Sequence, residues 1–317
     1  MRLGLDVSGG DYAPQATLNA LTMLIPEFSN GECIVLFGDK QTILANIDQQ
    51  WLGSGKVDIV HSPEVIEMGE QPSKAFQKKT NSSISRGFDY LRRNLIDSFA
   101  SAGNSGAMMV GSVYAINTIP GVIRPASVVL IPKVGGGNTV LLDVGTNPDA
   151  KSDVLYQYGV LGSSYAKFVL GIENPKIGLL NIGEEEKKGN LNVQSAYQLM
   201  KESSAFNFVG NIEGRDLFGE KADVVVCDGF AGNIVIKQIE GIYWLMRKRN
   251  MLDDYFSRFN YELYGGSPII GINGTVVIGH GISSPLAIKN MMLLSREIAY
   301  ARLHEKIREA VSSYGQS

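Results

Sequence analysis

The clearest pattern in the chain is Val224-Val225-Val226-Cys227-Asp228-Gly229-Phe230-Ala231-Gly232-Asn233. Its four apolar residues are typical of a buried strand, and they run directly into a glycine turn and the start of a helix. The same succession of strand, glycine turn and helix recurs along the chain, which predicts an α/β fold with a mostly parallel sheet and helical crossovers. The other strands predicted in this way are 3–7, 33–37, 99–102, 140–144 and 177–182.

The last third of the chain has a different pattern. It predicts a helix over 229–249, a strand over 275–278 and one long terminal helix over 285–311. Shorter helices are expected over 41–50 and from Ala107 onward. Because no linker and no repeat is visible, we expect a single α/β domain over 1–317, and any boundary would fall near residue 240.

Composition excludes several classes of protein. The 317 residues contain 29 Lys and Arg against 32 Asp and Glu, a formal net charge of -3, so no basic surplus is available for duplex nucleic acid. With 44% hydrophobic and 19% charged residues, the chain is expected to fold rather than to remain disordered.

The two cysteines, Cys33 and Cys227, each lie inside an apolar run, so we expect free thiols in the core and a reducing compartment. The sequence has neither a signal-peptide pattern nor 18 consecutive apolar residues. These features predict a cytoplasmic protein.

The glycine turns predict an anion or carbonyl site. In parallel sheets they would lie at the carboxyl ends of the strands, where backbone N–H groups and the N-termini of helices favour anions. The alternative for any one turn is that Gly and Asn simply form the turn, and for His280 that the backbone satisfies a loop histidine. The candidate substrate- or phosphate-binding residues are Gly9, Gly10, Asp11, Asn104, Ser105, Asn147, Asn181, Asn190 and His280.

Lys188 is the candidate cation for this site. It is followed by Gly189-Asn190 at a predicted helix start, which places a positive charge beside free amides. The alternative is a solvated turn in which Lys187 and Lys188 compensate Glu184 to Glu186. No P-loop, nucleophile elbow or dinucleotide fingerprint occurs, and no histidine pair has ligand spacing, so we expect no metal.

Taken in order, the motifs resemble the bacterial phosphate acyltransferase family of phospholipid synthesis, the acyl-carrier-protein:phosphate transacylases. The resemblance covers residues 3 to about 300. The matching motifs are Asp6-Val7-Ser8-Gly9-Gly10-Asp11-Tyr12-Ala13-Pro14, Ser101-Ala102-Gly103-Asn104-Ser105-Gly106-Ala107, Arg124-Pro125-Ala126, Leu142-Asp143-Val144-Gly145-Thr146-Asn147, Leu180-Asn181-Ile182-Gly183-Glu184-Glu185, Lys187-Lys188-Gly189-Asn190, Gly210-Asn211-Ile212-Glu213-Gly214-Arg215-Asp216, Asp228-Gly229-Phe230-Ala231-Gly232-Asn233 and Tyr264-Gly265-Gly266.

The resemblance implies an enzyme that makes acyl phosphate from acyl-acyl carrier protein and orthophosphate, without a cofactor, and passes it to a membrane glycerol-phosphate acyltransferase. It implies catalytic roles for Lys188 and Asn233, a homodimer, and peripheral attachment at the inner face of the membrane. It also implies a Rossmann-like fold with helices on both faces of the sheet, related to phosphotransacetylases and isopropylmalate dehydrogenases.

Two departures from the family pattern stand out. Val7 and Ser8 replace the usual Ala-Met of the first motif, and only 22 residues separate Gly241 from Tyr264, where the family has a longer helical segment. We therefore expect 241–264 to be a shortened helical segment for dimerisation or membrane contact, and membrane association to be weaker than is usual in the family.

Arg247, Lys248 and Arg249 form a basic helix end that could dock the acidic carrier protein, or could simply be a solvated helix end. Two rival functions remain open: a non-catalytic scaffold for carrier protein, and a decarboxylating dehydrogenase of related fold.

Overall fold

The structure, a computed structural model, describes residues 1–314, with side chains to residue 312. Its strands are β1 (Arg2–Asp6), β2 (Cys33–Gly38), β3 (Val57–His61), β4 (Ser98–Ser101), β5 (Ala126–Pro132), β6 (Asn138–Leu142), β7 (Lys176–Leu180), β8 (Asn207–Ile212), β9 (Val224–Val226), β10 (Ser267–Ile270) and β11 (Thr275–Ile278). Its α-helices are α1 (Gln15–Leu24), α2 (Lys40–Asn46), α3 (Pro72–Lys78), α4 (Ser83–Arg92), α5 (Ser105–Gly111), α6 (Ser152–Phe168), α7 (Leu191–Lys201), α8 (Gly229–Lys248), α9 (Asp254–Ser257), α10 (Pro285–Tyr300) and α11 (Leu303–Tyr314).

The chain divides into two units, each built from two stretches. The first unit contains Met1–Asn117 and Tyr261–Tyr300, and the second contains Thr118–Asn260 and the residues from Ala301 onward. The chain therefore passes between units at 117/118, 260/261 and 300/301, and not near residue 240. This division describes which residues pack compactly together and does not test function, so the expectation that 1–317 acts as one functional domain stays a prediction.

The sheet of the first unit has the strand order β3-β2-β1-β4-β11-β10. Its strands are parallel except for β10, which pairs antiparallel with β11. Alternate residues of β2 face opposite sides, so Val35 and Phe37 join a cluster with Phe88 of α4, while Ile34 and Leu36 are buried on the other face. Helices therefore cover both faces of this sheet.

The sheet of the second unit has the order β5-β6-β9-β7-β8; β5 pairs antiparallel with β6, and β6, β9, β7 and β8 pair in parallel. Because β6, β9 and β7 are parallel, the loops that follow them meet at one edge of the sheet. Asn147 and Lys188 lie in the loops after β6 and β7, and Asn233 lies near the start of α8, the helix that follows β9.

Two helices differ from their prediction. The predicted terminal helix over 285–311 is wrong, because the chain breaks between α10 and α11 at Arg302, whose φ is 48°. The two helices belong to different units, although each continues the apolar spacing. The helix expected over 41–50 ends at Asn46, since Asp48 is extended and caps a separate helical turn.

The segment after α8 packs against the β5–β6 hairpin. The Tyr255 hydroxyl donates to the Pro132 carbonyl oxygen at 3.0 Å, and the Arg258 guanidinium donates to the Lys133 carbonyl oxygen at 2.9 Å. The role of 241–264 in dimerisation or membrane contact stays a prediction. Within residues 1–314, none of the helices combines the length and the hydropathy needed to cross a bilayer.

Candidate functional site

The loop after β7 holds Lys188 in place. The Asn181 side chain accepts a hydrogen bond from the Ile182 N–H at 2.8 Å and donates to the Lys188 carbonyl oxygen at 3.1 Å, which closes the loop on itself. Gly189 has a φ of +84°, and a Cβ there would lie 2.5 Å from Asn181 Oδ1, so only glycine fits. Asn181 therefore shapes the turn that carries the candidate cation.

Lys188 has no ionic partner among the residues that the structure describes. Glu184 pairs with Lys221 at 2.8 Å and Glu186 with Lys201 at 2.5 Å, so two of the three glutamates pair with lysines from outside the turn. Within the part of the chain that the structure describes, Lys187 and Lys188 form no ion pair. The ion pairs that the turn forms in the described chain are thus with lysines outside it, so Lys188 is available to an anionic ligand, and its role in the site stays a prediction.

The N-terminus of α8 packs tightly against the loop after β6. A Cβ at Gly232 would overlap the Asp143 carbonyl oxygen, and one at Gly229 would lie 2.7 Å from Asp143 Oδ2. Asp228 caps the helix by accepting from the Ala231 N–H at 2.7 Å. These contacts fix the first turn of α8, from which the exposed Asn233 side chain projects beside Gly145.

Buried Asp143 organises the loop after β6. Its carboxylate accepts from the Ser127 N–H and hydroxyl, both at 2.9 Å, and from the Asn147 N–H at 2.6 Å. The Asn147 amide in turn donates to Pro125 O and Tyr158 Oη, both at 2.7 Å. Burial raises the pKa of Tyr158 and keeps its hydroxyl neutral. The Asn147 side chain thus serves the loop, and its contact with substrate stays a prediction.

A pocket of about 310 Å³ opens where the loops after β7 and β9 meet. Asn181, Asn190 and Asp228 contribute polar side chains to its lining. Asn190 also caps α7 by accepting from the Val193 N–H at 3.0 Å. Two predicted site residues, Asn181 and Asn190, therefore lie together at this pocket.

In the first unit, buried Asp6 organises the loops after β1 and β4. It accepts from the Ser8 N–H at 2.9 Å and from the Ser101 hydroxyl at 2.6 Å, and burial raises its pKa. A Cβ at Gly9 would lie 2.6 Å from the Gly103 nitrogen, so the close approach of these loops requires glycine.

The remaining predicted residues of the first unit have different surroundings. Gly10 has a φ of +102°, and the Asp11 N–H donates to Gly281 O at 2.7 Å. Asn104 is buried, caps α5 through the Ala107 N–H and donates to Glu67 O at 3.0 Å.

Ser105 is exposed at the start of α5, and the His280 ring packs edge-on against Tyr261 at 4.9 Å. Their contacts with substrate stay predictions. Sequence reasoning missed the organising roles of Asp6 and Asp143, although each is the last but one residue of a predicted strand and lies inside a quoted motif.

The sequence that forms these loops matches a known protein family. Residues 1–248 match a family model described as fatty acid synthesis protein. The phosphate acyltransferase of Dictyoglomus turgidum is 38% identical over 331 positions, covering 98% of both chains, and that of Pelotomaculum thermopropionicum is 40% identical, covering 99% of this chain and 96% of its own. This chain belongs to the phosphate acyltransferase family. The phosphate acyltransferase of Bacillus subtilis is 36% identical, with 98% of both chains covered.

Solved structures confirm the fold expected for this phosphate acyltransferase family member. The EutD phosphotransacetylase from Staphylococcus aureus covers 94% of both chains with a TM-score of 0.65 at 17% identity. A 4-hydroxythreonine-4-phosphate dehydrogenase from Klebsiella pneumoniae covers 94% of this chain and 97% of its own with a TM-score of 0.59 at 14% identity. The relation to phosphotransacetylases is confirmed, and that to isopropylmalate dehydrogenases stays a prediction.

The alignments also bear on the length of this family member. The alignment with the Dictyoglomus protein has 331 positions, more than the 317 residues of this chain, so that relative has residues that this chain lacks. A shortened 241–264 segment would account for them, and their placement there is a prediction.

Proposed function

We propose that this protein transfers a fatty acyl group from acyl-acyl carrier protein to orthophosphate and so forms the acyl phosphate used in phospholipid synthesis. The observation that carries the proposal is the unpaired Lys188, held by Asn181 in a turn whose next two residues line a pocket. The names of the relatives supply the reaction class.

The chemistry needs orientation and charge stabilisation. A phosphate oxygen attacks the thioester carbonyl carbon, the tetrahedral intermediate collapses, and the C–S bond breaks to release the carrier thiol, which takes its proton from solvent. Lys188 pairs with the phosphate or the developing oxyanion, and the Asn233 amide donates to the same centre. The N-termini of α7 and α8 add favourable dipoles at this edge.

Variants of the two side chains test the mechanism. Lys188→Ala and Asn233→Ala should each lower kcat by on the order of 10²- to 10³-fold, as expected for loss of one oxyanion donor. Lys187→Ala is the matched control, because Lys187 is the adjacent unpaired lysine and should tolerate the change. Near-normal turnover in both Lys188→Ala and Asn233→Ala would remove them from the mechanism.

The same assay separates the rival functions. Loss of acyl chains from acyl-acyl carrier protein should depend on phosphate, whereas a scaffold would release none. Thermal shifts with NAD and Mg²⁺ would instead support a dehydrogenase. No feature of the described residues favours either rival.

The proposal extends to partners and location. We expect a homodimer, detectable by light scattering, that works at the inner face of the membrane with a glycerol-phosphate acyltransferase.

Membrane binding by the segment after α8 should be weak. The rings of Tyr255, Phe256 and Phe259 pack against one another with centroids 5.3 to 6.0 Å apart, so they are already engaged and less available to lipid. Most protein should therefore stay in the supernatant when sedimented with anionic liposomes at physiological salt. Pelleting that Trp244→Ala abolishes would contradict this.

A further inference from the structure

Two large apolar side chains flank the turn that carries Lys188. Ile182 is 82% exposed and Leu191 is 81% exposed, one on each side of the Gly183–Asn190 turn. Single exposed apolar residues are ordinary on protein surfaces. A pair that brackets an unpaired lysine is more informative, because apolar groups beside a reacting centre can bind the apolar part of a substrate.

The pocket adjacent to this turn is also partly apolar. Leu155, Ile182 and Val193 form an apolar wall of its lining, which also includes Asn181 and Asn190. Its volume of about 310 Å³ lies at the lower end of the range for small-molecule sites, about 300–1,000 Å³.

The charges of the pocket lining indicate which reactant, phosphate or the acyl chain, the pocket binds. Among the described residues that line the pocket, the ionisable carboxylate is Asp228 and none is a lysine or arginine. A phosphate inside the pocket would face that carboxylate without a compensating cation, whereas an acyl chain carries no charge there. The anion is better placed outside, at Lys188.

We infer that this pocket, with Ile182 and Leu191 at its approach, binds the fatty acyl chain next to the thioester. The inference rests on the proposed function and assigns the apolar wall to the acyl group and the lysine to phosphate. Each methylene group that the wall buries should favour the longer substrate by about fourfold. The pocket therefore makes Ile182 and Leu191 determinants of chain-length preference.

The test compares acyl-carrier-protein donors with sixteen-carbon and eight-carbon chains. Ile182→Ser and Leu191→Ser should each lower the ratio of kcat/KM for the long chain to that for the short chain by about tenfold. Leu199→Ser is the matched control: Leu199 lies on the same helix, about 12 Å from Leu191 along the axis, and is 44% exposed. For Leu199→Ser, the ratio of kcat/KM for the long chain to that for the short chain should equal that of the unmodified protein.

An unchanged ratio in both site variants would overturn the inference, as would an equal fall in Leu199→Ser. Thermal unfolding of each variant checks that the fold is retained. If the unmodified protein forms acyl phosphate from neither donor, the proposed function itself fails. If it forms acyl phosphate with an unaltered chain preference in the variants, only this inference fails.

Discussion

The side-chain amide of Asn211 donates a hydrogen bond to the carbonyl oxygen of Glu185 at 2.9 Å. Asn211 is buried near the end of β8 and lies opposite Leu179 of β7, so a neighbouring strand holds the turn that presents Lys188. With Asn181 on one side and Asn211 on the other, the turn is fixed at two points. Its geometry thus depends on residues about 30 positions apart in the chain.

Loss of the Asn211 contact should lower turnover through Lys188. Asn211→Ala removes the donor and should reduce kcat by about tenfold, because misplacing a group by about 1 Å can be costly. In a double-mutant cycle, Asn211→Ala should have little further effect in a Lys188→Ala background. Asn207→Ala, at the exposed start of the same strand, is the control. Full additivity of the two losses would show that Asn211 acts independently of Lys188 and would contradict this prediction.

Two glycines of α8 should respond oppositely to alanine. Gly232→Ala would force the helix away from the Asp143 carbonyl and should destabilise the protein by about 1–3 kcal/mol. Gly241 has open space around it, so Gly241→Ala should stabilise by about 0.5–1 kcal/mol through improved helix propensity. Denaturant unfolding measures both. A similar effect at the two positions would mean that the close packing at Gly232 is not needed.

Both thiols should be inert in the native protein. Cys33 and Cys227 are buried, and burial raises the pKa of each, so little thiolate forms near pH 8. A thiol reagent should react slowly before unfolding and with two groups per chain in denaturant. Rapid reaction of native protein at either position would contradict the placement of these cysteines in the core.

The basic end of α8 should contribute to carrier docking. Arg247, Lys248 and Arg249 are exposed, and Lys248 Nζ lies 4.9 Å from the centre of the Trp244 ring. Reversing the three charges should raise the KM for acyl-acyl carrier protein severalfold at low salt, and the effect should fade as salt screens the attraction. Lys306→Glu on α11 is the control for the single reversal Lys248→Glu, because the two variants change the net charge equally. An unchanged KM would favour a merely solvated helix end.

Much of the fold was predictable because its signals are local. The strand predicted over 275–278 is β11 without change, and the helix predicted over 229–249 is α8 to within one residue. The break in the predicted terminal helix was not predictable in this way. The apolar spacing of α10 and α11 continues across the break at Arg302, and neither Gly nor Pro marks it. Local periodicity reports that a face is buried, and it does not report which unit buries it.

The asparagines of the glycine turns also separate what local sequence predicts from what tertiary structure decides. The sequence by itself determined that they follow strands in a parallel sheet, because strand, turn and helix signals span only a few residues. Only the tertiary structure decided that Asn104 and Asn147 hold loops and that Lys188 is unpaired. Hydrogen bonds and ion pairs depend on distant partners, such as Lys221 for Glu184, which folding alone brings within reach.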